Sequence, residues 1–140
     1  MANAQQNSEL GITPATNVAC CLGPLQTQWL EALESGKYKQ GMGKLHTADN
    51  KFCCLGVACK LFSENPPIPT NTVIGHVYKY ENEINYLPLS LVEKLKFYSN
   101  NGTNISDNRC LSIYNDEGVS FLEIAQMVRA NPSHFFREPA

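Results

Sequence analysis

One stretch of this chain departs from the usual alternation of polar and apolar residues. It is Phe52-Cys53-Cys54-Leu55-Gly56-Val57-Ala58-Cys59-Lys60-Leu61-Phe62, in which only Lys60 is charged. A segment this apolar has no polar face to give to water, so it must be enclosed on most sides. Periodicity alone allows a buried strand, but a length of about 11 residues favours a buried helix. Gly56, Ala58 and three cysteines keep its surface small, which lets neighbouring backbones come close.

The rest of the pattern arranges itself around that run. Residues 1–19 are rich in Asn, Gln, Ala and Thr with little periodicity and read as a flexible N-terminal tail. Cys20-Cys21-Leu22-Gly23 echoes Cys53-Cys54-Leu55-Gly56, but the sequences that follow do not match, so no repeat is assigned. Pro24 opens and Gly36 closes an amphipathic helix with Leu25, Trp29, Ala32 and Leu33 on one face, Trp29 serving as a packing anchor. Leu45 to Thr47 and Lys51-Phe52 flank a turn at Ala48-Asp49-Asn50 and predict a small hairpin. Ser63 to Pro69, with three prolines, predicts a loop. Val73 to Tyr80 and Ile84 to Leu87 predict a second hairpin turned at Glu81-Asn82-Glu83. Ser90 to Glu93 forms a capping-box pattern for a helix to about Tyr98 with Leu91, Leu95 and Tyr98 aligned. A short helix capped at Ser106 or Asp107 carries Cys110, Leu111 and Tyr114 and closes near Gly118. A second capping box, Ser120 to Glu123, starts a helix that stops before Pro132 with Phe121, Ile124, Ala125 and Val128 inward.

These elements predict one α+β domain over residues 20–132, helix-rich, with about five helices and one or two small antiparallel hairpins. Residues 133–140 read as a C-terminal tail. At 140 residues the chain suits a single core. A charged fraction of 17% and a net charge of −2 fit a globular protein without a strong field toward nucleic acid or anionic membrane. No apolar stretch approaches the roughly 20 residues of a bilayer span. The first residues lack a basic start and an apolar core, so a cytoplasmic location is expected. Six cysteines, two pairs of them adjacent and three inside the apolar run, read as reduced buried thiols acting as small hydrophobes.

Two segments carry a resemblance. Trp29 with Gly36-Lys37-Tyr38-Lys39-Gln40-Gly41-Met42-Gly43-Lys44-Leu45, followed by Phe52-Cys53-Cys54-Leu55-Gly56-Val57-Ala58-Cys59, resembles a family of small uncharacterised proteins of tailed phages and prophages. Tyr114-Asn115-Asp116-Glu117-Gly118-Val119-Ser120-Phe121 with Ile124-Ala125 resembles that family's C-terminal segment. The likeness covers most of residues 25 to 130 and implies no activity.

The glycine-punctuated basic stretch is the functional candidate. Gly41 and Gly43 permit close backbone approach, and their N–H groups could face an anion as a nest. Lys37, Lys39, Lys44 and His46 add charge, and Tyr38 and Gln40 add hydrogen bonds. This is neither a P-loop nor a dinucleotide fingerprint. The competing reading is a tight turn with solvated lysines.

Other constellations are weaker. Cys53, Cys54 and Cys59 with His46 or His76 lack zinc-ligand spacing, so no metal and no cofactor is expected. A nucleophilic Cys54 with His76 would need a lowered thiol pKa, which an apolar setting opposes. The run from Ser120 to Arg137 invites a helix-turn-helix reading through Glu123-Ile124-Ala125, but Arg129 stands where that motif usually has glycine and Pro139 cuts the second helix short. Asp116 and Glu117 read as a helix terminus rather than a facing acid pair. The expectation is a phage-type accessory protein, in the host cytoplasm if phage-encoded, that binds rather than turns over. Its partner would be a host protein or a small anionic, nucleotide-like ligand, with antagonism of host defence as the role. The alternative is a small DNA-binding regulator using the C-terminal helices, whose DNA binding would be lost on replacing Arg129 and Arg137. Nucleic acid and membrane are not expected partners, and no oligomeric state is specified.

Overall fold

The computed structural model describes residues 22–73 and 75–140. The expected N-terminal tail and the Cys20-Cys21 pair lie outside the described residues. Among those described, five α-helices and two two-stranded sheets make the expected helix-rich α+β domain. In chain order they are α1 (Pro24–Glu34), β1 (Lys39–Gln40), β2 (Lys51–Phe52), α2 (Cys54–Phe62), β3 (Ile68–Thr72), β4 (Gly75–Lys79), α3 (Leu89–Leu95), α4 (Leu111–Asp116) and α5 (Phe121–Ala130). No helix among the described residues is long and apolar enough to cross a membrane.

The apolar run is the centre of the molecule. Helix α2 packs against α1, α3 and α4 at once, and every residue from Cys54 to Cys59 is buried. Phe52 belongs to β2 rather than to the helix, because Cys53 takes the N-cap and its Sγ accepts the Gly56 N–H at 3.3 Å. Trp29 is fully buried, as its place on the apolar face of α1 requires. Its indole N–H donates to the Cys54 carbonyl at 2.9 Å, and Phe97 and Phe136 meet its ring edge to face.

Besides the start of α4, where Cys110 takes the N-cap in place of Ser106 or Asp107, three expectations need correcting. The first predicted hairpin keeps only an antiparallel bridge between His46 and Phe52. The strand proper is β2 paired in parallel with β1, Lys39 opposite Lys51 and Gln40 opposite Phe52. The second hairpin is β3 with β4; residues 63–67 form a loop as expected, but the last two residues of that segment, Ile68 and Pro69, begin a strand. A two-stranded ribbon has outward-facing edges, and there Pro69 can sit without costing a ladder bond. The third concerns α3. Pro88 holds its N-cap, the Ser90 hydroxyl turns to the Glu81 carboxylate at 2.8 Å, and Lys96 ends the helix in a left-handed conformation (φ 65°). Tyr98 is consequently exposed, and Phe97 is the buried aromatic.

The segment expected as a C-terminal tail is folded. Phe135 and Phe136 are buried, and the Arg137 N–H donates to the Lys96 carbonyl at 2.7 Å. The Ala140 carbonyl accepts the Leu25 and Gln26 N–H groups at the start of α1. Buried Gln26 completes that junction, its side-chain amide donating to the carbonyls of Leu95 and Glu138.

Candidate functional site

The basic, glycine-punctuated stretch runs from the end of α1 through β1 to the turn before β2. Strand β1 is only two residues long, but pairing with β2 gives it two faces. Lys39 points to solvent. Gln40 points inward, where its amide donates to the Asn115 side-chain oxygen at 2.9 Å and to the Val119 carbonyl at 2.8 Å.

Asn115 is the residue that sequence reasoning missed. It is fully buried on α4 and satisfies three partners from distant parts of the chain. Its Oδ1 accepts from Gln40 and from the Cys54 N–H at 3.1 Å, while its Nδ2 donates to the Gly41 carbonyl at 2.8 Å. Being at the end of a helix beside two acids, it carried no signal distinguishing it from a capping residue.

The N–H groups expected to face an anion are occupied from within the protein. Gly41 donates to the Phe52 carbonyl at 2.7 Å, and Gly43 donates to the Asp116 carboxylate at 2.9 Å. Glycine is required at 41 for room, since a Cβ there would lie 2.8 Å from that of Lys51. At 43 it is required for its left-handed backbone, φ 80°.

His46 is inside. Its ring lies flat between Phe52 and Tyr78, with centroids 4.1 and 4.2 Å away. Nδ1 lies 2.8 Å from the Tyr80 hydroxyl and Nε2 lies 2.6 Å from the Asn50 side-chain oxygen. These partners suit a neutral ring that donates from Nε2 and accepts from Tyr80. Burial lowers the His46 pKa below the ordinary imidazole value, and it raises that of the Tyr80 phenol.

The eight residues singled out in the sequence therefore divide. Gln40, Gly41 and His46 build the wall, while Gly43 and Lys44 border a small cleft with Asp116, Ser112 and Tyr86. Lys37, Tyr38 and Lys39 face a different cleft of ≈ 340 Å³, shared with Asn50, Phe52 and Lys60. Lys60 was missed as a site residue although it is the one charge in the apolar run; the last turn of α2 brings it there. Asp49 also lines this cleft, but it pairs with Lys51 at 3.6 Å. The Thr47 hydroxyl, with help from Lys51, holds its carboxyl below the usual carboxylate range. Among the described residues, Lys37, Lys39 and Lys60 have no carboxylate within salt-bridge distance.

No thiol of the central helix lines the lysine cleft; all three are buried, Cys53 in the wall of the Gly43–Lys44 cleft. Burial pushes the Cys53 thiol up to about 11, and it raises Cys54 and Cys59 as well. The Cys54 thiol points at the Leu111 carbonyl, 3.8 Å away. Such thiols stay protonated and unreactive at neutral pH.

A family model described as a domain of unknown function (DUF8296) matches residues 23–132. No curated protein and no solved structure matches the chain.

Proposed function

The chain belongs to that family of unknown function (DUF8296), and we propose that it is a non-enzymatic binding protein whose ligand is a small anion held at the Lys37–Lys39–Lys60 cleft. The supporting observation is that three lysines without carboxylate partners line one concave surface, where the Asp49 carboxylate is paired with Lys51 and which also offers the Asn50 amide and the Tyr38 and Phe52 rings. Unpaired like charges repel one another, and an anion of two or more charges relieves that repulsion. Two or three charge-assisted contacts at roughly 1.5–3 kcal/mol each correspond to an affinity of roughly millimolar to micromolar.

The resemblance to phage proteins supports placing the ligand among the host cell's anionic nucleotide-type signals, and hence a role against host defence. A host protein presenting an equivalent acidic group is the other occupant this surface would accept. The DNA-binding alternative has less behind it. Arg129 is held by Glu34 through two contacts of 2.7 and 2.9 Å, and Arg137 by Glu93 at 3.2 Å. The residues after α5 form a three-residue 3₁₀ turn, Pro132–His134, in place of a recognition helix.

Calorimetric titration of the full chain with inorganic pyrophosphate tests the reading. Binding that weakens at least tenfold in Lys39→Glu/Lys60→Glu, with melting temperature unchanged, is the expected result. Equal binding by both proteins, or none by either, would refute it.

A further inference from the structure

We infer that the lysine cleft is one half of a two-part site, and that its ligand is a guanine nucleotide whose ring occupies the adjoining alcove. The inference rests on the anion-binding reading above and adds the identity of the group attached to the anion. The alcove, of ≈ 260 Å³, lies between α1 and the end of α2 and is lined by Gln28, Glu31, Ala32, Leu61, Lys37 and Tyr38. Lys37 and Tyr38 line both spaces, so the two adjoin on either side of the Tyr38 side chain.

The two halves differ in chemistry. Ala32, Leu61 and the Tyr38 ring give the alcove an apolar wall. Tyr38 is fixed as a platform because its ring meets Phe52 edge to face at 5.6 Å. Stacking of a base on such a ring contributes about 1–3 kcal/mol whatever the base. Charge then fixes the direction of the ligand. In the alcove Glu31 offsets Lys37, whereas the cleft sets Lys37, Lys39 and Lys60 against Asp49, itself paired with Lys51, so phosphate is drawn to the cleft end.

Glu31 also selects the base. Among the described residues no cation lies within salt-bridge distance of it; Arg129, which feels its charge, is paired with Glu34. An ionised carboxylate only accepts hydrogen bonds. Guanine offers it two adjacent donors, the ring N1–H and the exocyclic amine. Adenine offers one donor beside a ring nitrogen that is itself an acceptor. The pairing therefore favours guanine.

The test is calorimetric titration of the full chain with GMP, AMP, guanosine and ribose 5-phosphate. GMP should bind about tenfold more tightly than each of the other three. Glu31→Gln should bring GMP and AMP together while leaving ribose 5-phosphate no weaker, and Tyr38→Ala should weaken GMP alone. Ribose 5-phosphate binding as well as GMP, or AMP equalling GMP in the unaltered protein, would overturn the guanine assignment and leave the anion site standing. Guanosine matching GMP, or no binding by any phosphorylated compound, would overturn both.

Discussion

The carbonyl oxygen of Leu45 lies against the α-carbon of Gly56, so closely that a methyl group there would occupy the oxygen's own space. The same oxygen accepts the Cys53 N–H at 3.2 Å, tying the turn after the basic stretch to the start of the central helix. Gly56→Ala should therefore cost roughly 3 kcal/mol and lower the melting temperature by roughly 10 °C. Gly43→Ala has open space around it but a left-handed backbone, φ 80°. It should cost only about 1–2 kcal/mol. Differential scanning calorimetry of the two variants separates these mechanisms.

Asn115 should behave as a buried hub. Replacing it by Ala leaves the Cys54 N–H and the Gly41 carbonyl without their partners. A loss of about 3 kcal/mol is expected, read as a lower urea midpoint at unchanged slope. Gln40→Ala removes a half-buried partner and should cost nearer 1 kcal/mol.

The His46 stack makes stability depend on pH. Burial depresses the folded-state pKa below the ordinary value of 6.5. Between those two values the unfolded chain binds a proton that the folded chain refuses, so stability rises with pH across that window. The urea midpoint should be level above about pH 7 and should fall as pH drops below 6.5 toward the folded pKa. In His46→Gln that part of the fall should vanish, while any fall due to other groups remains.

Thiol labelling should follow burial. With Cys20→Ser and Cys21→Ser in place, the described thiols are Cys53, Cys54, Cys59 and Cys110, of which only Cys110 is partly exposed. Under native conditions one equivalent of alkylating reagent should be taken up quickly, at Cys110. The other three should react only on unfolding, as read by intact mass and peptide mapping.

What the sequence disclosed follows the range of the interactions involved. Helices α1, α2 and α5 were legible because their apolar spacing and termini are local. At α5 the capping box forms as written, with Ser120 and Glu123 exchanging bonds of 3.1 and 3.2 Å. The same pattern at Ser90 misled because Pro88 and Glu81, both outside the four-residue motif, decide what the hydroxyl does. Strand β3 was hidden by its proline, which speaks for a loop unless an edge position is known. At the site, Lys37, Tyr38 and Lys39 were legible because they are neighbours in sequence. Lys60 and Asn50 reach their cleft only through the packing of α2 and the turn before β2. Gln40 and Asn115, 75 residues apart, could not be paired without the fold.

The proposed function turns on an anion sitting in the lysine cleft. Amide chemical-shift mapping of the uniformly ¹⁵N-labelled full chain during a GMP titration tests this directly. The predicted result is saturable shifts at Lys37, Tyr38, Lys39, Asn50 and Lys60, with Gly43, Lys44 and Asp116 unmoved. Shifts centred on Gly43 and Asp116, or none at saturating nucleotide, would contradict it.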